Sequence, residues 1–387
     1  MTQRTGSTAV AGAPGAVQVW DGVPDWWDEL AGPVPLLGTR PWLHAMSGRA
    51  GRPALTFGVP AGTGRPQVAM YGTFQAAPRP GEHFDIQYLV SAPTQLLPLT
   101  DAARAARVEL DAPEPSRWTP SLVLMFPGYE CFPVGPGGTD PATMDTLVGG
   151  LVAWARAAGA QTIGFLYLRP AAAALAGAAE RHGFSRVPLT YSFDLPIPGP
   201  DFADYLAVLP KKRRGEVGRE LRRIAAAGIE LSQPPVGEVF DDLVRLRCAL
   251  VRKYRGDVDV ENERAKLHRT VDEVAGGAPH VFCATAGGTV LSAALFAGTD
   301  RDWTCLLTGT DYTDPRSALC YFATAYYEPV RVAAQRGVRL LRFGQGSWDA
   351  KRSRGCQPTL MTSWVLGLDP DVAAAVRRSA ASTAVSL

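Results

Sequence analysis

Six cysteines stand in 387 residues, at positions 131, 248, 283, 305, 320 and 356, with no Cys-x-x-Cys pair and no histidine at zinc-finger spacing. That excludes the common structural metal frameworks, and most of these cysteines lie in apolar runs, where the residue acts as a small hydrophobe. No metal is expected. Reduced thiols in a chain of this size point to the cytoplasm. None of the five histidines has a carboxylate or nucleophile at a telling spacing, so Ser-His-Asp chemistry, P-loop chemistry and zinc hydrolysis find no support. No run approaches the ~20 apolar residues that a bilayer span requires. Residues 1–16 are small and polar without the apolar core of a signal peptide, and read as a disordered tail. Lysine is scarce too: only five of 39 basic residues are lysine, and the net charge is +2. Whole-chain charge therefore argues little about nucleic acid, and local clusters must decide. The excess of Arg, Ala, Gly and Pro suggests a GC-rich source, which is association rather than mechanism.

What is present is a globular composition, 46% hydrophobic and 20% charged, long enough for two domains or one large α/β domain. Residues 302–355 carry the most information. A short apolar run at Trp303 to Leu307 predicts a strand, turn residues follow, then roughly five helical turns, then a strand from Val338 to Phe343 and a polar loop. Gly337 stops the helix. Loops at the carboxyl ends of strands are where α/β proteins place ligands. Pro329 is expected to kink the helix, which carries Tyr321, Tyr326 and Tyr327, with one or two facing the core.

Earlier in the chain, four of the nine tryptophans fall between Trp20 and Met46, either packing a helical entry onto the sheet or walling a pocket. Strands are predicted at Ala54 to Val59, Gln67 to Phe74, Ser121 to Phe126 and Thr162 to Leu168, and helices near Asp101 to Val108 and at Met144 to Ala158. The stretch 61–66 reads as a hairpin-like connection. Gly135, Gly137 and Gly138 precede a helix and can cradle an anion through free N–H groups, or form a loop closed by an Asp140 or Thr139 cap. The proline-rich 197–200 reads as a linker. A long helix from Phe202 to Ala227, with a break at Pro210, sets Lys211, Lys212, Arg219, Arg222 and Arg223 on one side and Val217, Leu221 and Ile224 on another. That stripe is either a solvated face or a phosphate contact. Two further helices are predicted at Val239 to Tyr254, ending in the Arg252-Lys253-Tyr254 cluster, and at Glu263 to Val274. A hairpin turning at Gly287-Gly288 follows.

The loop Phe343-Gly344-Gln345-Gly346-Ser347 and the run Ala350-Lys351-Arg352-Ser353-Arg354-Gly355 resemble the glycine-bearing loop and aromatic-Lys-x-x-x-Gly signature of the FemABX-like transferases within the GNAT superfamily, with Ala350 in place of the aromatic. The basic helix resembles the one that opens their second half, and Arg40-Pro41-Trp42 resembles the start of their substrate-side helix. The resemblance is strongest beyond Phe202. It implies an α/β (α+β) fold of two tandem GNAT-like halves, each a mixed twisted sheet flanked by helices: a tail at 1–16, an N-terminal half at 17–198 and a C-terminal half at 199–380. It implies an acyltransferase that takes an aminoacyl group from aminoacyl-tRNA to an amine or hydroxylamine of a small molecule or a peptidoglycan precursor, or an acyl-CoA-dependent enzyme. A non-catalytic ligand-binding module is the remaining reading. No tightly bound cofactor is implied; the co-substrate is aminoacyl-tRNA or acyl-CoA. The partners are tRNA and a small-molecule acceptor, not DNA. Lys351 is the expected stabiliser of the oxyanion, with a salt bridge to Asp349 or Asp302 as its structural alternative. Asp311 and Tyr312 are the candidates for proton transfer, while Asp314 reads as a turn and helix cap. Lys211, Lys212, Arg219, Arg222, Arg223 and Arg354 are the candidate donor or phosphate ligands. Trp42, Tyr321, Phe343, Gln345 and Ser347 are the candidate pocket.

Overall fold

A computed structural model of the chain describes residues 17–47, 53–62, 65–91, 100–108, 112–274 and 279–382. The expected tail at 1–16 and part of the 61–66 connection lie outside the described residues. The chain forms two compact units, residues 1–192 together with 359–387, and residues 193–358.

The first unit runs β1 (Gln18–Asp21), α1 (Trp27–Ala31), α2 (Arg40–Met46), β2 (Ala54–Pro60), β3 (Pro66–Gln75), α3 (Ile86–Ser91), α4 (Asp101–Val108), β4 (Ser121–Leu124), α5 (Pro141–Ala157), β5 (Thr162–Leu168), α6 (Ala173–Arg181) and the start of β6 (Ser185–Pro196). The second holds the end of β6, then α7 (Phe202–Val208), α8 (Lys211–Ala226), β7 (Glu230–Ser232), α9 (Phe240–Arg255), α10 (Val260–Glu273), β8 (His280–Ala286), β9 (Thr289–Gly298), β10 (Asp302–Thr310), α11 (Glu328–Gln335), β11 (Leu340–Gly344) and α12 (Trp348–Ser353). The chain then enters β12 (Gln357–Gly367) and α13 (Pro370–Ser382), whose residues from 359 onward belong to the first unit. The expected halves had assigned these residues to the second. Their place follows from pairing, since β12 lies antiparallel to β5 from Thr362↔Leu168 to Gly367↔Thr162.

Strand order in the first unit is β1-β2-β3-β4-β5-β12-β6, and in the second β6-β11-β10-β9-β8-β7. Each unit contains one parallel pair joined through a helix, β4 with β5 across α5 and β10 with β11 across α11. A parallel pair needs such a crossover. Two antiparallel strands precede the parallel pair in both units, with α3 and α4 inserted between β3 and β4 in the first. This is a mixed α/β fold.

Side-chain alternation sorts the core. Leu122 and Leu124 of β4 join Met144, Leu147 and Leu151 of α5 on one face, while Val123 and Met125 join Ile86, Leu89 and Val376 on the other. In β5 the alternation fails at one point. Ile163 and Phe165 face α5, Leu166 faces away, yet Tyr167 stays on the far face and Leu168 returns. Tyr167 has φ 61, and the register against β12 shifts at the same place, so an inserted residue turns the strand over.

The glycine loop before α5 is spent on packing. A Cβ on Gly135 would lie 2.7 Å from the Gln67 carbonyl oxygen, and one on Gly137 would lie 2.9 Å from the Thr143 methyl. Residues Pro136–Thr139 form a 3₁₀ turn in which the amides of Gly138 and Asp140 bond to Gly135 and Gly137, and Asp140 caps α5 by accepting from the Thr143 amide at 2.8 Å. The cap reading is the observed one, and the amides of Gly138 and Asp140 are already engaged. We predict that Gly137→Ala lowers the stability of this unit by about 1–3 kcal/mol through overpacking, read as an earlier denaturant midpoint.

Candidate functional site

The second unit builds its polar loop at the end of the parallel pair. Strands β10 and β11 register from Asp302↔Leu340 to Thr304↔Arg342, and Arg342 forms a 3.0 Å ion pair with Asp302. Asp302 is thus engaged by Arg342. Beyond Phe343 the chain takes left-handed backbone at Gly344 (φ 63), Gly346 (φ 76) and Ser347 (φ 53). Nothing lies within 4 Å of a Cβ built on either glycine, so glycine is required there by backbone conformation, not by space. The expected loop after residue 347 is a short helix, α12, which carries Lys351 back under the loop.

Lys351 is 6% exposed, and its ammonium donates to three carbonyl oxygens, Phe343 at 2.9 Å, Gly344 at 3.0 Å and Gln345 at 2.6 Å. All three protons are used. The Nζ also lies 5.3 Å from the centre of the Phe193 ring. Desolvation by burial pushes this amine down to about 8, while the neighbouring Cys305 and Cys356 thiols and Asp194 pull the other way. The salt bridge to Asp349 or Asp302 does not form. A trans peptide points its N–H opposite to its C=O, so three carbonyls aimed at one ammonium aim the amides of Gly344, Gln345 and Gly346 away from it. The Gln345 side-chain Nε2 is buried there without a hydrogen-bond partner. The loop therefore presents donors, and Lys351 fixes their direction from behind.

Tyr321 and Phe343 come together beside this loop: Tyr321 lies 6.2 Å from Tyr326, which stacks on Phe343 at 4.6 Å and 16°. The tyrosine helix faces the core with two of its three tyrosines, as expected, and holds a turn that the sequence does not show. Residues Ala323–Tyr327 form a π-helical turn ahead of Pro329, and all five are buried, including both Tyr326 and Tyr327. The π turn lies directly ahead of the proline, and Tyr326 and Tyr327 close it on its buried side. Burial raises the hydroxyls of both well above the usual phenol range, and holds Tyr321 at about 12.

The other candidates separate by burial. Arg354 is 2% exposed, paired with Glu220 at 2.9 Å and set 3.6 Å from the centre of the Phe322 ring. Tyr327 donates to the same carboxylate, and Tyr205 donates to the Arg354 carbonyl at 3.0 Å. This arginine is a buried tie between α8 and α12. Nothing in the sequence pattern marks Glu220 as its partner. Trp42 is likewise interior, its Nε1–H donating to the Pro127 carbonyl at 2.7 Å. Asp311 spends Oδ1 on the amide and hydroxyl of Thr313 and Oδ2 on Arg245 at 2.8 Å. Those bonds hold its carboxyl below the usual range, led by the Thr313 hydroxyl, which makes it a weak base. Tyr312 is exposed, and Asp314 caps a turn by accepting from the Arg316 amide at 2.8 Å.

Helix α8 leaves Lys211, Lys212, Arg219, Arg222 and Arg223 exposed, while Val217 and Ile224 are buried. Both glutamates of the helix are taken, Glu216 by Arg213 and Glu220 by Arg354. None of the five exposed cations has an ion-pair partner among the described residues. They cover one face for about 18 Å at 1.5 Å per residue. The break at Pro210 is present, with α7 and α8 on either side.

The first unit holds a cluster that periodicity does not reveal. Tyr129 and Tyr167 are both left-handed, with ring centres 5.2 Å apart, beside a 2.5 Å ion pair between buried Glu130 and Arg169. Non-glycine residues in this conformation are uncommon and gather at constrained sites.

The FemAB-like family model, described as peptidoglycan biosynthesis/recognition, matches residues 127–384. The chain belongs to that family. Among solved structures it is similar to FemX, at 11% identity and a TM-score of 0.55, over 82% of this chain and 88% of that one. A tandem GNAT protein from the clavulanic acid biosynthesis pathway aligns at 14% identity and a TM-score of 0.49, over 92% and 99%. The C-terminal domain of a putative lysylphosphatidylglycerol synthetase from Agrobacterium fabrum aligns at 17% and 0.46, over 67% and 81%. At these identities the FemX likeness concerns the fold, and the other two carry no argument. No curated protein matches the sequence. No helix among the described residues is long and apolar enough to cross a membrane.

Substituting Lys351 tests the loop. Lys351→Met is expected to cost about 2 kcal/mol at pH 7 by leaving carbonyls unpaired. Between pH 8 and 10.5 the unfolded lysine keeps its proton while the native one loses it, so the unfolded state binds more protons and native stability rises with pH. The stability difference between wild type and Lys351→Met should therefore grow across that window, by at most about 1.4 kcal/mol per unit. A flat difference in paired denaturation curves would show that the amine is not desolvated.

Proposed function

We propose that this FemAB-like chain is a transferase that moves an aminoacyl group from aminoacyl-tRNA to an amine or hydroxylamine of a small molecule or a cell-wall precursor. The observation that carries the donor assignment is the face of α8, five exposed cations whose neighbouring carboxylates are already engaged. A polyanion neutralises such a face at low cost, and its phosphates match a row of cations along one helix.

In this reading the loop after β11 supplies the chemistry. The acceptor nitrogen attacks the ester carbonyl carbon and a tetrahedral oxyanion forms. Its collapse breaks the ester C–O bond, and the proton lost by the nitrogen ends on the departing ribose oxygen. Donors held in place beforehand stabilise that oxyanion without reorganisation. The amides of Gln345 and Gly346 and the Gln345 side chain are the donors we assign to it. Lys351 acts as a positioning residue by holding their carbonyls. Ser347 closes the loop, and Tyr321 and Phe343 flank it. Asp311 and Tyr312 are left out of proton transfer, since one is a weakened base and the other has its hydroxyl raised, chiefly by desolvation. The acyl-CoA alternative loses support from the glycine loop before α5, whose residues serve packing.

The test is binding of bulk charged tRNA and of acetyl-CoA, each titrated against salt. Neutralising Lys211, Lys212, Arg222 and Arg223 to glutamine is expected to flatten the tRNA salt slope by roughly 3, since each lost phosphate contact removes about 0.7–0.9. Tight acetyl-CoA binding without tRNA binding would overturn the reading.

A further inference from the structure

The sequence cluster Arg252-Lys253-Tyr254 has no part in the chemistry above. In the structure it meets Tyr312. The three residues end α9 and are all exposed, Tyr254 to 74%, and Tyr312 is exposed to 45% in the loop that leaves β10. They are the large aromatic side chains of the second unit left in solvent among the described residues. The Lys253 ammonium stands 4.1 Å from the centre of the Tyr312 ring and 5.7 Å from that of Tyr254. Asp311 fixes this arrangement, because its bond to Arg245 of α9 ties the backbone beside Tyr312 to the helix that carries Lys253 and Tyr254.

Exposed rings normally find a core or a partner, because each buries a large apolar area when covered. Two rings with a cation set between them form the surface on which unpaired bases stack, since every base has a flat face and each is linked to a phosphate. Further in, a second aromatic group stands beside the polar loop. Tyr321 neighbours Tyr326, Tyr326 stacks on Phe343, and the Phe343 carbonyl is held by Lys351. Tyr312 and Tyr321 thus stand on the one connection that runs from β10 to α11, the first in solvent and the second in the group beside the loop.

We propose that the Tyr254, Lys253 and Tyr312 surface receives the unpaired 3′ end of the donor RNA, with a base stacked on a tyrosine ring and the adjoining phosphate on Lys253 and Arg252. This rests on the aminoacyl-tRNA reading and gives Tyr312 a role through its ring instead of its hydroxyl.

The test uses a fluorescein-labelled five-nucleotide single-stranded RNA, uncharged whole tRNA and adenosine monophosphate, with anisotropy as the readout. Tyr254→Ala with Tyr312→Ala should weaken the oligonucleotide by roughly five- to thirtyfold, and the corresponding double Phe variant should stay within about twofold. Both rings are solvent-facing, so unchanged circular dichroism and melting are expected and separate lost stacking from lost folding. Equal affinity of wild type and the double Ala variant would overturn the platform. So would salt-sensitive binding of whole tRNA with no binding of the oligonucleotide, which leaves the aminoacyl-tRNA reading standing. Absence of both would remove the two together. Competition by adenosine monophosphate at the same concentration as the oligonucleotide would make this a mononucleotide site and overturn the assignment to an RNA end.

Discussion

One ammonium group under three carbonyls sets the geometry of the second unit's polar loop. Carbonyl oxygens repel one another, and left alone the peptides from 343 to 346 would turn them toward water. Lys351 reverses that preference by donating to Phe343, Gly344 and Gln345 at once. The conformation this demands is left-handed at Gly344 and Gly346, and again at Ser347 where the loop enters α12. A point charge with three protons suits this task better than a planar guanidinium, whose fork would favour one flat acceptor. In a chain with 34 arginines to five lysines, the lysine here is the residue whose shape fits.

The clamp works only if α12 is itself fixed, and a second polar group does this from the other end. Arg354, one residue past α12, pairs with Glu220 of α8, receives the Tyr205 hydroxyl on its carbonyl and lies over the Phe322 ring. A nearly buried guanidinium without its carboxylate would be strongly destabilising, so Glu220 is held in place as firmly as it holds. The same carboxylate accepts from Tyr327, which is buried in the π turn. The loop, the basic helix and the tyrosine helix are thus tied together through Glu220, and α8 keeps one face for packing and the other for solvent.

Much of the fold was legible because period and punctuation agree. The predicted strand from Thr162 to Leu168, the hairpin at Gly287-Gly288 and the break at Pro210 all appear where apolar pattern and turn residues coincide. The π turn was not legible, since it depends on how the surrounding core receives Tyr326 and Tyr327. Nor was the flip at Tyr167, where a bulge overrides alternation. The return of β12 to β5 is a long-range pairing that no local signal encodes. In the site, the spacing from Lys351 to Gly355 singles out the lysine that sits under the loop. The three carbonyls beneath the loop are a tertiary feature and left no trace in the pattern. Arg354 reads as a phosphate ligand and Trp42 as a pocket residue because charge and aromaticity alone do not reveal depth.

The two units share a parallel pair preceded by two antiparallel strands, yet they use glycine to different ends. In the first, Gly135 and Gly137 let the chain approach Gln67 and Thr143 closely, and the amides of Gly138 and Asp140 turn inward to the loop's own carbonyls. In the second, Gly344 and Gly346 stand in open space, and their freedom goes into peptide orientation. Only the second arrangement leaves a row of backbone donors facing away from a fixed cation. A transferase of the proposed kind needs one such row for one carbonyl, so the asymmetry supports assigning the acyl donor to the second unit. It also accounts for the place of the exposed cations and solvent-facing tyrosines at α8, α9 and the end of β10, since an RNA that delivers its terminus to this loop needs contacts on the same unit to hold it there.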